Sequence, residues 1–304
     1  MQKAIYALSE SLLRAMLARA PWMAARLAGE RHLPEFLSVF ASRFGLRTVE
    51  VTPLPGSRLA RGQDGLRLRV DSVILPAVLE SGAWQYDEVQ TMADLLDRNR
   101  QYTLVDVGAN AGLISRQALL HVPQIAAAEC FEPDPTNFAC LQHNLAGFPR
   151  VAAHNIALGD QDGTMELFLD KTNSGNFSLS SGAMEGHEYN VEVVQVRAAH
   201  ALLQQIMVAT PQDRHFIYKS DTQGYDEYIA ALLPDGFWSR VDVVVMEISR
   251  MQKPVVDADR FRALLESFPH RRFGHDKAEV QVDEVIAFAM GPTDNRYVDL
   301  VLWR

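Results

Sequence analysis

Along the front of the chain Ile5, Leu8, Leu12, Met16, Ala20, Met23 and Leu27 recur at steps of three and four, with Lys3, Glu10 and Arg14 on the opposite side. That period predicts an amphipathic helical region, interrupted or restarted at Pro21, whose ring removes a backbone donor. From Val49 to Leu75 the pattern breaks into short strand-like pieces among Pro53, Pro55, Gly56, Gly62 and Gly65, as a loop-rich connection does. Residues 1–75 are expected to form a helical, loop-rich N-terminal region and residues 76–304 the main domain.

Thereafter helical and extended patterns alternate. A helix is expected over Tyr86–Asp97, then an apolar strand over Thr103–Val107, a helix after Gly112 and a strand over Ile125–Phe131. Asp134 is placed to cap the next helix with Pro135 at its first position; Phe138, Leu141 and Leu145 form its buried stripe and Gly147 ends it. A strand over Val151–Leu158 follows, and Asp162-Gly163 turns the chain into another over Thr164–Leu169. Further strands are expected at Val191–Val196, Phe216–Ser220, Val241–Ile248, Val285–Met290 and Tyr297–Trp303, with helices near Ala198–Val208, Tyr225–Leu233 and Asp257–Phe268.

Such alternation predicts an α/β fold, a parallel sheet covered by helices on both faces. The last two strands are separated only by a turn containing Gly291, Pro292, Asp294 and Asn295, so an antiparallel hairpin is expected at one edge.

Composition narrows the function classes. The longest apolar runs, Tyr228–Leu233 and Val285–Met290, fall far short of the roughly 20 residues a membrane-spanning helix needs. Two cysteines, Cys130 and Cys140, cannot build a secreted disulfide framework, and no secretory-signal core opens the chain; a cytoplasmic setting is expected. The net charge of -9 argues against nucleic acid as a partner. Residues 1–70 nevertheless hold 11 basic and 5 acidic side chains, against 18 and 33 in the remainder. The basic front is expected to cap the acidic body, with a membrane surface or an acidic partner as the alternative.

The stretch Val105–Ser115, VDVGANAGLIS, lies between a buried strand and a helix. In open parallel sheets such a glycine-bearing turn lets the backbone approach a ligand, and Gly108 and Gly112 are the close-approach candidates. Glu132 stands 20 residues after Gly112, at the end of the next strand, where a carboxylate can accept hydrogen bonds from both hydroxyls of a ribose. From Gly108, however, Asn110 and Leu113 occupy the second and third glycine positions of the dinucleotide fingerprint, so the pyrophosphate turn is missing. Asp106 instead gives D-x-G-x-x-x-G, an arrangement suited to S-adenosylmethionine. A donor with no phosphate but an ammonium and a sulfonium favours carboxylates and backbone carbonyls.

VDVGANAGLIS, FEPDPTNFACLQHNL, NIALGDQDGTMEL, NSGNFSLS and YKSDTQGYDEYI, in that order and spacing, resemble the FkbM-type S-adenosylmethionine-dependent O-methyltransferases from about Tyr86 to about Ile248. The resemblance implies a Rossmann-like seven-stranded methyltransferase sheet. It also implies a cofactor loop at Asp106, Gly108, Asn110 and Gly112, a ribose acid at Glu132, and an adenine-passing segment at Ala157, Leu158 and Gly159. The family's K-I-D-V-Q-G-x-E reads here as Lys219, Ser220, Asp221, Thr222, Gln223, Gly224, Tyr225 and Asp226; Ser220 and Asp226 depart from it.

Asp221 and Gln223 are expected to emerge at the carboxyl end of their strand and Glu247 at the end of the next, so two carboxylates and an amide face the methyl group. In-line transfer to an alcohol depends chiefly on alignment. Asp221 or Glu247 can act as base, or the two can hold Mg²⁺. Lys219 reads as a strand residue paired with a surface acid and Asp242 as a strand cap. The polar stretch Asn173–Gly186 is either an acceptor-covering loop or a plain connection, and His187 beside it a base or a solvated side chain. His270, His275 and Asp276 lack a third firm ligand and suggest no zinc site.

The expected activity is methyl transfer to a hydroxyl of a small molecule, a sugar unit or secondary metabolite, with a homodimer or a carrier protein as possible partners. The alternatives are a binding protein with a vestigial cofactor pocket and a nicotinamide-dependent oxidoreductase.

Overall fold

The computed structural model describes residues 47–304 except 54–55, 62–63, 252–253, 277 and 295; the helical region expected over Ile5–Leu27 lies outside the described residues. Strands β1 (Thr48–Val51) and β2 (Leu66–Arg69) form an antiparallel ribbon, followed by α1 (Ile74–Ser81) and α2 (Tyr86–Leu95). The main sheet begins with β3 (Tyr102–Val107), α3 (Leu113–His121), β4 (Ile125–Phe131), α4 (Pro135–Leu145) and β5 (Val151–His154). The Asp134 cap forms as its sequence demands, its carboxylate accepting the Asn137 N–H at 2.7 Å.

The stretch expected as one strand over Val151–Leu158 is two, and they enter different sheets. After β5 the side chain of Asn155 donates to the carbonyls of Glu132 and Pro133, both at 2.9 Å, which ends the ladder there. Strand β6 (Ala157–Gly159) then joins β7 (Gly163–Asp170), β8 (Phe177–Ser178) and β9 (Tyr189–Ala198) in a four-stranded sheet of order β6-β9-β7-β8.

The chain returns through α5 (Ala199–Ala209) to β10 (His215–Ser220), α6 (Asp226–Leu232), α7 (Asp235–Trp238) and β11 (Val241–Ser249). It ends with α8 (Ala258–Glu266), β12 (His270–Phe273), α9 (Val282–Ala289) and β13 (Tyr297–Trp303). Seven strands take the order β12-β13-β11-β10-β3-β4-β5. Neighbours from β11 to β5 pair in parallel, whereas β13 runs antiparallel to both β11 and β12. This is a Rossmann-like seven-stranded sheet, with its antiparallel element at the terminal edge.

The partner of β13 corrects one expectation. Val285–Met290 is not a strand but falls largely within α9, opened by a capping box between Gln281 and Glu284 and burying Val285 and Ala289 one turn apart. A six-residue apolar run carries no period that separates strand from helix. The strand that pairs with β13 is His270–Phe273 instead.

Alternate strand residues feed two cores, as a period of two requires. Val105, Val107, Phe216, Tyr218, Val244 and Met246 pack on one face; Leu104, Ile217, Val243 and Val245 meet Val89 and Met92 of α2 on the other. The β1–β2 ribbon and α1 share a third cluster with Ala111, Leu113 and Cys140, pinned where the Asn144 side chain bonds the backbone of Arg67 and Ala111. Cys130 and Cys140 are free and buried. No helix among the described residues is long and apolar enough to cross a membrane.

Candidate functional site

Strand order reverses between β3 and β10, because the chain runs outward from β3 to β5 and then returns to the other side of β3. In open α/β sheets a crevice forms at that switch point, beyond the carboxyl ends of the strands. A cavity of about 480 Å³ lies there.

Its floor is the turn after β3. Gly108 and Ala109 donate their N–H groups to Phe131 O at 3.0 and 2.9 Å, and Asp221 N–H donates to Val107 O at 3.0 Å, so the turn is clasped between two strand ends. Gly108 has φ +75°, and a Cβ there would sit 2.0 Å from the carbonyl oxygen of Asp221; only glycine fits. Asn110, φ +50°, is one of the few side chains that tolerate the left-handed region. Its N–H donates to Glu132 Oε2 at 2.8 Å and its side-chain amide to Ser174 O at 2.7 Å, tying the turn to the acid and to the loop overhead.

Glu132 is 5% exposed, and its other oxygen accepts the Asp134 N–H at 2.8 Å. Burial, and then the charge of Asp134, push its carboxyl up to about 8. In the ionised form each oxygen keeps a lone pair for a ligand, the capacity needed to accept two neighbouring hydroxyls.

Of the residues singled out from sequence, Gly108, Asn110, Glu132, Ala157, Leu158, Asp221, Gln223 and Glu247 all line this one cavity. Asp106 and Gly112 stand behind its wall. Asp106 is fully buried, accepting Ser115 Oγ at 2.6 Å and facing Lys219 Nζ at 3.3 Å. Gly112 opens α3 against Leu141 and Leu145.

At the other end of the cavity Asp221 accepts the Gln223 side-chain amide at 2.6 Å. Glu247 is 8% exposed, and its buried Oε1 has no hydrogen-bond partner. Burial and the nearby charge of Asp221 push Glu247 well above the carboxylate range, favouring its protonated form. Ser220 and Asp226, the two departures from the family pattern, meet: the Ser220 hydroxyl donates to Asp226, which also accepts the Thr222 N–H at 3.0 Å. Asp226 is fully buried beneath the turn rather than in the cavity.

Lys219 corrects a sequence expectation. Its acid is the buried Asp106, and the lysine, 2% exposed, lines the cavity. Burial works against its charge, but Asp106, Asp221 and Glu88 hold the ammonium above its ordinary range. Glu88 of α2 was not singled out from sequence. It is buried, and burial pushes it up to about 8 against the opposing charge of Lys219. Lys219 and Asp106 are register partners on adjacent strands, a relation visible only once β10 is placed beside β3.

Asn173 to Asn176, with Phe177, cover the cavity, so the polar stretch is a wall and not a plain connection. His187 also lines it, with Nδ1 2.6 Å from Asp170 Oδ2. Asp242 is no simple cap: at the opposite edge of the sheet it binds Arg100, Tyr102 and His215. His270 pairs with Glu279 and His275 with Asp87, each at 2.7 Å. Among the described residues no group of three or more His, Cys, Asp or Glu has the arrangement of a metal site.

No family model matches this chain, and no curated protein does. Among solved structures, the chain is similar to a precorrin-6y methyltransferase from Geobacter metallireducens at 12% identity, over 72% of this chain and 86% of that one, with a TM-score of 0.33. It is similar to methyltransferase FkbM from Methylobacillus flagellatus at 15% identity and a TM-score of 0.40, over 75% of this chain and 52%, about half, of that one. It is also similar to M. capricolum TrmK, solved with S-adenosyl-homocysteine, at 8% identity over 71% and 67% of the two chains, with a TM-score of 0.32.

Proposed function

We propose that this protein is an FkbM-type methyltransferase that moves a methyl group from S-adenosylmethionine to a hydroxyl oxygen of a small molecule, a sugar unit or secondary metabolite. The observation that carries the reading is Glu132, buried at the tip of β4 with both oxygens fixed, opposite a turn held 2.8 Å away by the Asn110 N–H. That pair is built to take a ribose, while Asn110 and Leu113 deny the turn the glycines a pyrophosphate requires. Bound there, the sulfonium donor would supply an activated methyl carbon.

The chain's own residues then have separable tasks. Glu132 holds the ribose hydroxyls; Ala157 and Leu158, on β6, give the base an apolar wall. The carbonyls of the Gly108 turn and the Asp221 carboxylate suit the donor's positive groups. Glu247, with its unpartnered buried oxygen, and Gln223 orient the acceptor, and alignment of this kind can lower a barrier by roughly 7–11 kcal/mol.

Isothermal titration tests this directly. S-adenosylhomocysteine should bind the full chain, and Glu132→Ala should weaken binding by about 1–3 kcal/mol, or roughly 5- to 150-fold. A flat titration of folded wild-type protein, or equal affinity for a nicotinamide dinucleotide, would defeat the reading. Labelled-methyl transfer onto a panel of hydroxylated compounds then identifies the acceptor.

A further inference from the structure

We propose that His187, oriented by Asp170, is the general base that removes the acceptor's proton. The inference rests on the methyl-transfer reading and assigns a role that reading leaves vacant.

Asp170, at the end of β7, is 5% exposed. Its Oδ1 accepts Thr172 N–H at 2.8 Å, Thr172 Oγ1 at 2.9 Å and Asn173 N–H at 3.1 Å; its Oδ2 accepts the Asn176 amide at 2.9 Å and faces His187 Nδ1 at 2.6 Å. Burial works against the charge, but the bonds from Asn176, Thr172 and Asn173 hold the carboxyl below its ordinary range. A carboxylate so supplied with donors can only accept, so the imidazole hydrogen sits on Nδ1. Whenever the ring carries only that hydrogen, Nε2 keeps its lone pair. This is the geometry of a base fixed by a third group.

The ring lines the cavity with 48% of its side chain exposed, so it borders both the cavity and solvent. Three other charged groups that line the cavity, Asp221, Glu247 and Lys219, serve less well. Asp221 is engaged by Gln223, and Glu247 favours its protonated form. Lys219 is committed to Asp106; outside the cavity, Lys171, whose backbone N–H bonds the carbonyl of Glu188 next to His187, pairs with the Glu188 carboxylate at 3.0 Å. In the step itself the acceptor's O–H proton passes to Nε2, an oxygen–methyl bond forms as the methyl–sulfur bond breaks, and the electron pair stays on sulfur. The positive charge moves from sulfonium to imidazolium beside Asp170.

Histidine-labelled full chain, observed by nitrogen NMR above neutrality, tests the assignment without an acceptor. The His187 ring should carry its hydrogen on Nδ1, Asp170→Asn should scramble the tautomers, and saturating S-adenosylhomocysteine should shift the Nε2 resonance. A hydrogen on Nε2, or a resonance indifferent to bound S-adenosylhomocysteine, overturns the proposal. With any hydroxyl compound the wild type methylates, His187→Gln should lower kcat roughly 10²- to 10⁴-fold while leaving the affinity for S-adenosylhomocysteine unchanged; unaltered kcat overturns it as well. Failure of the wild type to bind S-adenosylhomocysteine would instead sink the methyl-transfer reading, and titration alone reveals that.

Discussion

The two edges of the same parallel sheet carry charge in opposite ways. At the amino edge Asp242 is met on every side: Arg100 Nη1 at 2.9 Å, the Tyr102 hydroxyl at 3.0 Å and His215 Nδ1 at 2.9 Å, with Arg100 44% exposed. At the carboxyl edge a buried lysine, Lys219, stands among Asp106, Asp221 and Glu88, with Glu247 and Asp299 register partners across the β11–β13 ladder. Left-handed Asn110 and Gln223 and an unpartnered Glu247 oxygen belong to that second edge. One cluster is satisfied by the fold. The other is acid-rich and keeps an unpartnered oxygen, the surroundings the proposed sulfonium donor would need, since perturbed carboxyls and strained residues gather where function outweighs stability.

The sharpest way to break the comparison is to remove the buried cation, Lys219. Lys219→Met leaves Asp106 buried beside Asp221 with only Ser115 to bond it. Removing one partner of a buried pair typically costs about 3–5 kcal/mol, because the remaining charge cannot recover its hydration. Urea unfolding should show that loss. A change below about 1 kcal/mol would mean that the acids around Lys219 are largely neutral and the edge is not charged as argued.

Glu88 sharpens the same contrast through pH. Its folded-state carboxyl is raised to about 8 from an ordinary 4.5, so the folded state binds the proton more tightly than the unfolded one. The stability this gives is complete below pH 4.5 and is lost as pH rises through about 8. Glu88→Gln, permanently neutral, should match the wild type in acid and exceed it above pH 8 by a margin on the order of 5 kcal/mol. Parallel stability curves for the two proteins across that window would remove Glu88 from the account.

How much of this the sequence disclosed follows from the range of the interactions. Asp134 with Pro135, the Gly108 turn and the place of Glu132 depend on neighbours a few positions away, and the local pattern carried them. The division of the 151–158 stretch depends on Asn155 reaching back to Glu132 and Pro133, and the helical state of 282–289 on a capping box beside an apolar run without period. The pairing of Lys219 with Asp106 and the burial of Glu88 require three elements to be brought together, a matter of sheet order that no window reads. Ser220 and Asp226 show the same limit. Each alone is a departure from the family motif, but the shorter acid and the added hydroxyl bond each other, so the pair preserves the turn before α6.

The smallest effect belongs to the satisfied edge. Arg100→Ala deletes a contact between a carboxylate and a guanidinium whose side chain is 44% exposed. Water can replace the guanidinium there, and Tyr102 and His215 keep their bonds to Asp242, so no buried charge is orphaned. Asp242 itself is buried, but with its other two bonds kept the loss should lie near the upper end of the about 0.2–1 kcal/mol of exposed pairs. The variant should therefore unfold within about 1 kcal/mol of the wild type and bind S-adenosylhomocysteine unchanged, because the sheet separates this cluster from the cavity. A loss as large as that of Lys219→Met, measured in the same urea series, would erase the distinction between the two edges. The acid-rich character of the carboxyl edge would then be a general property of the sheet's ends and no guide to where a ligand sits.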